Sequence, residues 1–385
     1  MALSFALTPE QEELRQVVRA FAVERVAPRA EAMNADRAFP LDLVAEMGAM
    51  GLFGLPFPEE YGGMGGDLLS LCLAIEEIGR VDQSLGVTLE AAVGLGAMPI
   101  FRFGSAAQRE RWLPPLARGE HLAAFGLTEA GGGTDAAALR TTAVRDGDGW
   151  VIDGAKQFIT NAGTDISALV TVTAGTGEVD GRRQVTNFVV PTGTPGYTVG
   201  AGYRKVGWHA SDTRDLAFEG CRVPADHQLG DEGRGLANFL AILDEGRIAI
   251  AALAVGLIQG CIDECVAYAT QREAFGRPIG ANQGVAFAIA DMEVAAQLAR
   301  NQYRYACWLA ASGQAFARAA SVAKLFATEA AVDAARGACQ VFGGYGFTTD
   351  YPVGRFYQDA KILEIGEGTS EVQRLLVARS LGLPL

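Results

Sequence analysis

A break in hydrophobic period near the middle of this chain does most to limit how it can fold. Residues 8 to about 120 read as helices, with Leu14, Val17, Val18, Phe21 and Val26 approximating one helical stripe. Thr8, Pro9 and Glu10 supply an N-cap, an N1 proline and an acidic first turn. Gly62-Gly63 and Gly65-Gly66 predict a loop before a helix starting near Leu68. From about His121 to Gly230 short β-branched runs alternate with turn residues. Thr141–Val144 and Trp150–Ile152 flank Asp146-Gly147-Asp148-Gly149, a hairpin signal. Leu169–Val172 and Phe188–Val190 are further strands, punctuated by Pro191, Pro195, Gly196 and Pro224. From about Gly235 the helical period returns. Ile250, Ala254, Leu257, Cys261, Cys265 and Tyr268 share one face, and Ala315 to Val341 suits close-packed helices. The chain is therefore an α+β, multi-domain protein: a helical domain over 1–120, a β domain over 121–234 and a helical domain over 235–385.

Charge narrows the partners. A net charge of −13 argues against nucleic acid, because phosphate binding needs a basic surface. A phosphate-bearing ligand must then meet locally placed Arg and Lys. The longest apolar stretches are Ala-rich and interrupted, so none offers the roughly 18 uninterrupted apolar residues of a membrane span. The N-terminus has neither a signal-peptide pattern nor an Arg-rich transit pattern, although a processed chain would look the same. The expected location is the cytoplasm. Six cysteines occur; Cys261 and Cys265, one helical turn apart in an apolar pattern, read as buried reduced thiols.

Near the C-terminus, in Lys361 to Arg374, Glu367 stands between Gly366 and Gly368 and before Thr369 and Ser370. Glycines let a backbone bend tightly and let a ligand approach. A carboxylate there can stand against a flat apolar ligand, as a base that takes a proton from carbon must. Alone, the segment reads as a surface turn between two helices; two further segments change that reading.

Gln340 to Phe347, running on to Asp350, Arg355 and Asp359, and Gly126 to Asp135 join the Glu367 segment in a fixed order. Together they resemble the signature regions of the acyl-CoA dehydrogenase family, in register from about Leu7 to Arg379. The resemblance implies an N-terminal helical domain, a middle β-barrel-like domain and a C-terminal four-helix bundle. It also implies FAD-dependent α,β-dehydrogenation of an acyl-CoA thioester. Electrons would pass to an electron-transfer flavoprotein or a similar acceptor, and the assembly would be a homotetramer.

The family motif puts the base immediately before Gly-Thr, which selects Glu367 and leaves Glu364 structural. Some members place the base directly before the residue matching Arg247; here that position is Gly246. Arg247 matches a residue that supports the base or thioester, Asp244 one that contacts the CoA arm, and Gly368 a substrate contact. Phe125, Leu127, Thr128, Gly133 and Thr134 match flavin-edge and pyrophosphate contacts, Thr134 also meeting substrate. Phe158, Ile159, Thr160 and Asn161 match a second flavin segment, where Phe158 replaces the commoner Trp. Arg272 and Phe275, with Gln283, Gln340, Gly343 and Gly344, resemble groups that reach a neighbouring subunit's FAD; Thr369 and Glu371 complete the cofactor set. Val87, Thr88 and Ala91 match the helix that selects the acyl chain, and fit core packing equally well. His209 stands where the family often has Arg.

No G-x-G-x-x-G follows a strand and no G-x-x-x-x-G-K-[ST] occurs, which sets aside a nicotinamide dehydrogenase and a P-loop nucleotidase. A flavin-dependent oxidase or monooxygenase of the same fold stays open, as does a dehydrogenase of carrier-protein-tethered acyl groups.

Overall fold

The computed structural model describes residues 5–384; the expected domain limits at 1 and 385 lie outside them. Seven helices come first: α1 (Pro9–Phe21), α2 (Ala27–Asp36), α3 (Leu41–Ala49), α4 (Leu68–Gly79), α5 (Gln83–Glu90), α6 (Met98–Phe103) and α7 (Ala106–Ala117). Thr8 caps α1 in a full capping box with Gln11, a partner that the Thr8-Pro9-Glu10 reading omitted. Asp67 caps α4 after the glycine-rich loop. Between α5 and α6, Ala91–Ala97 is wound as a π-helix.

Eight strands follow: β1 (Leu122–Gly126), β2 (Thr142–Asp146), β3 (Gly149–Thr160), β4 (Ser167–Val179), β5 (Arg182–Pro191), β6 (Tyr197–Gly202), β7 (Thr213–Pro224) and β8 (Gln228–Leu229). They form one sheet in the order β6-β7-β3-β2-β4-β5-β8, with β1 parallel on β4. The Asp146–Gly149 turn joins β2 to β3 as a hairpin. Trp150 of β3 meets Phe188 of β5 with ring centroids 5.1 Å apart, although two strands separate them in the sheet order. The sheet therefore wraps round its own apolar face, as a barrel-like domain does.

The last part is helical: α8 (Gly235–Gln271), a small ribbon of β9 (Glu273–Ala274) and β10 (Arg277–Pro278), then α9 (Gln283–Ala311), α10 (Ala317–Phe342), α11 (Val353–Leu363) and α12 (Ser370–Ser380). The sequence assigns α8 one apolar face. In the fold every residue from Ile248 to Leu257 is buried, because α4, α9, α10 and α11 all pack on this helix. This also corrects the hydropathy reading. Gln83–Phe103 and Gly235–Gln271 reach mean hydropathies of 1.5 and 1.7, enough by length and composition to cross a membrane. The fold buries 89% and 83% of their most apolar stretches, so they are its core helices. Ala320, Ala323, Ala327, Ala331, Ala335 and Ala338 let α10 lie close against α8 and α9.

Candidate functional site

Glu367 lies in the loop between α11 and α12. The residue itself, and not only its glycine neighbours, takes the left-handed conformation, with φ 52°. Two side chains hold the loop from beneath. Lys324 of α10, fully buried, donates to the Gly368 carbonyl at 2.9 Å. Gln373 donates to the same carbonyl at 3.0 Å and to that of Glu367 at 3.3 Å. Thr369 caps α12 by accepting from the Val372 amide at 3.3 Å, while Glu371 is exposed on the first turn.

Burial pushes the Glu367 carboxyl up to about 7, against a hydrogen bond from Glu90 and the charges of Lys324 and Arg247. Burial likewise lowers Lys324 to about 8. Arg247, almost wholly buried on α8, pairs with Asp244 one turn earlier. Glu364 is engaged by Lys361. Val87, Thr88 and Ala91 are all buried, and the Thr88 hydroxyl donates to Ser84 carbonyl oxygen at 2.9 Å.

Gly246 carries a steric meaning that its lack of charge does not convey. A Cβ built there would lie 2.1 Å from Glu367 Oε2, inside any contact distance. A side chain at 246 and this pose of Glu367 exclude each other. Gly246→Ala is therefore expected to displace the carboxylate and slow thioester-dependent flavin reduction by about 100-fold, the usual result of roughly 1 Å of misplacement. Stopped-flow kinetics at saturating thioester check this, and an unchanged rate would show that the pose is not the working one.

A second group comes from the β domain. The Leu127–Thr134 loop is fastened by Glu129, which accepts from the Arg140 amide at 2.6 Å and the Thr141 amide at 3.1 Å. Lys156 of β3, fully buried, donates to Glu129 at 2.7 Å, to Thr173 at 3.2 Å and to the Leu127 carbonyl at 3.3 Å. Burial brings Lys156 down to about 8, with Glu129 opposing. Thr128 and Gly133 lie side by side: a Cβ at 133 would meet the Thr128 methyl at 3.9 Å. Thr134 is exposed, Leu127 is buried, and Phe125 stacks on Phe239 with centroids 4.0 Å apart.

Strict alternation along β3 from Trp150 would point Phe158 inward. An extra residue between Lys156 and Ile159 breaks the register with β7. Phe158 takes φ 59°, its ring turns outward against Tyr203, and Ile159 fills the core instead. Thr160 follows at the end of the strand. Asn161, also left-handed, donates to the Thr88 carbonyl at 3.0 Å. That bond joins this group to the helix carrying Glu90. Phe158, Asn161, Trp208 and Glu367 are four of the seven non-glycine residues with positive φ among those described, so backbone strain is drawn toward these two groups and the loop beside them.

The loop holding His209 rests on α11. Trp208 donates its amide to the buried Asp359 at 2.5 Å, and His209 Nε2 meets the Lys205 carbonyl at 2.9 Å. Burial, then the Asp82 charge, pushes Asp359 up to about 7.

A third group stands apart. Arg272, Gly343 and Gly344 line a cavity of about 490 Å³ with Tyr268, Phe342 and Tyr345. No residue of the first two groups lines it. Phe275 and Gly276 form the tip of the β9–β10 ribbon with φ 54° and 75°, and the Phe275 ring is 98% exposed. Gln283 and Gln340 are exposed at helix ends nearby in sequence.

Lys156, Lys324, Gln373 and Glu90 were not among the sequence candidates. Two carried a signal. Lys156 sits in the inward register set by Trp150 and Ile152, and Lys324 is the lone charge between Ala319 and Ala327.

Similarity to known proteins agrees with this arrangement. The acyl-CoA dehydrogenase N-terminal, middle and C-terminal domains match residues 8–120, 124–221 and 233–382. The probable acyl-CoA dehydrogenase YngJ of Bacillus subtilis is 45% identical over 98% of this chain and its own full length. The solved butyryl-CoA dehydrogenase of Megasphaera elsdenii superposes with a TM-score of 0.96 at 38% identity, over 99% of this chain and 100% of that one. A chain solved in work on the electron transferring flavoprotein of Acidaminococcus fermentans gives a TM-score of 0.95 at 41% identity, over 98% and 99%. With all three domains matched in order along its length, the chain belongs to the acyl-CoA dehydrogenase family.

Proposed function

We propose that this protein desaturates a short acyl-CoA thioester between Cα and Cβ, with Glu367 removing the α proton. One observation carries the reading: a buried carboxylate lifted to about 7 is ionisable at neutral pH and still basic enough to attack a carbon acid. Arg247 and Lys324 supply positive charge beside it. Lys324 and Gln373 fix its backbone, so the carboxylate needs little rearrangement to act. Asp244, paired to Arg247, is suited to the CoA arm. Val87, Thr88 and Ala91 line the acyl side.

The residues present fit FAD. Phe158 offers an open aromatic face, and the Leu127–Thr134 loop, exposed at Gly133 and Thr134, offers backbone and hydroxyl groups for a polar ring edge. Asn161 Oδ1 and Trp208 Nε1 are buried without protein partners. When bound, FAD supplies the acceptor for the hydride lost from Cβ. Phe125, Leu127, Thr128, Gly133, Thr134, Phe158, Ile159 and Thr160 would hold it from one subunit, with Thr369 and Glu371. Arg272, Phe275, Gln283, Gln340, Gly343 and Gly344 would reach it from the next.

This division requires a homo-oligomer, which we take to be a tetramer. Besides Phe275, α9 leaves Phe287, Val294 and Leu298 more than half exposed. Replacing Arg272 with Gln should weaken FAD by about 10- to 100-fold, the worth of one charge-assisted hydrogen bond. Fluorescence titration of the stripped protein measures this, with light scattering for the assembly. Unchanged affinity would remove Arg272 from the cofactor site.

Electrons would leave to an electron-transferring flavoprotein, in fatty acid metabolism in the cytoplasm. A panel of acyl-CoA thioesters, assayed with that acceptor and with air, tests the substrate and acceptor together. Fast turnover with short chains and slow reaction with oxygen are expected. Rapid turnover in air alone would instead mark an oxidase.

A further inference from the structure

A second carboxyl faces the base, and desaturation as such has no use for it. Glu90 ends α5 where the π-wound segment begins, and is 1% exposed. Neither of its oxygens has a protein donor, and Glu367 Oε2 has none either. The two carboxyl groups are neighbours, each acting on the other's ionisation. Gly94 and Gly246 leave room for them: a Cβ at 94 would sit 3.2 Å from Glu90 Oε1, and one at 246 would meet both Glu367 and Leu95.

As two carboxylates the pair would offer only acceptors to one another. Sharing one proton satisfies both, and a buried pair of acids at short range keeps one. The surrounding charges decide who holds it. Arg247 from α8 and Lys324 from α10 act on Glu367, whereas burial and the Glu367 charge act on Glu90. Asp244 and Glu364 stand behind them, engaged by Arg247 and Lys361. The charges of Arg247 and Lys324 favour the ionised form of Glu367 and leave Glu90 the better holder of the proton.

We propose that Glu90 is a positioning acid: protonated, it donates a hydrogen bond to Glu367, fixes the orientation of that carboxylate and sets the pH at which the base becomes available. This rests on Glu367 being the base, a reading that the Glu367→Gln variant tests separately. The sign follows directly. A donor to the ionised form favours it, so removing the donor raises the Glu367 pKa and shifts activity to higher pH. Wild-type flavin reduction should rise with pH through about 7. Glu90→Leu, with no donor, should move that midpoint up by about one pH unit or more. Glu90→Gln keeps an N–H donor and should hold the midpoint near wild type.

Infrared difference spectroscopy of the FAD-loaded proteins gives a readout independent of turnover. Wild type minus Glu90→Gln at neutral pH should contain the C=O stretch of a protonated carboxylic acid. If Glu90→Leu does not fold, that band still decides whether Glu90 holds the proton. The proposal is overturned if the band is missing, if Glu90→Leu leaves the midpoint in place, or if Glu90→Gln shifts it equally.

Discussion

Glu367→Gln should reduce its bound flavin at least 10²- to 10⁴-fold more slowly than wild type when mixed with a competent acyl-CoA, the usual range for loss of a general base. Gln keeps the size of the side chain and can still accept from Glu90, so the loop held by Lys324 and Gln373 should stand. What disappears is the only group in the pair that carries negative charge. Without it the α proton has no acceptor, and hydride loss from Cβ cannot be coupled to its departure. FAD content and thioester affinity should survive, because the groups proposed for them are other residues, most of them on other elements. Glu364→Gln is the control, since Glu364 is engaged by Lys361 rather than by the site. A wild-type rate from Glu367→Gln would move the base elsewhere, with Glu90 the next candidate on position.

Lys156→Met is expected to destabilise the protein by about 3–5 kcal/mol, the cost of breaking a buried ion pair from one side. The ammonium is wholly buried and makes three bonds, and two of them, to Glu129 and the Leu127 carbonyl, hold the Leu127–Thr134 loop. Met fills the volume but leaves the Glu129 charge with only two backbone amides. The loop should loosen, so FAD should be lost at lower denaturant than the global unfolding midpoint. Flavin fluorescence and circular dichroism followed in one urea titration separate the two events. Lys156→Met with Glu129→Gln should recover part of the loss, since both halves of the pair are then neutral. A single variant within about 1 kcal/mol of wild type would mean that the pair is not what fastens the loop.

The periodic parts of the fold were legible because local chemistry decides them. The Thr8 cap, the Asp146–Gly149 hairpin and the start of α4 all rest on residues a few positions apart. Glu367 was legible through its glycine setting and family motif. What stayed hidden depends on residues far apart in the chain. Lys156 reads as one polar residue in a strand until Glu129, 27 positions earlier, and Thr173 close round it. Lys324 reads as the polar face of an Ala-rich helix until the loop before α12 brings the Gly368 carbonyl to it, 44 positions on. Gly246 could be seen to lack an acid, but not to be the space that Glu367 occupies. The outward turn of Phe158 needed the extra residue in β3, which no alternation count predicts.

Anaerobic mixing of the FAD-loaded protein with butyryl-CoA tests the central claim most directly. The account predicts loss of the flavin's visible absorbance and one α,β-unsaturated thioester formed per flavin reduced, both rising in rate with pH through about 7. Unchanged absorbance across a panel of short acyl-CoAs, or bleaching without the unsaturated product, would contradict it.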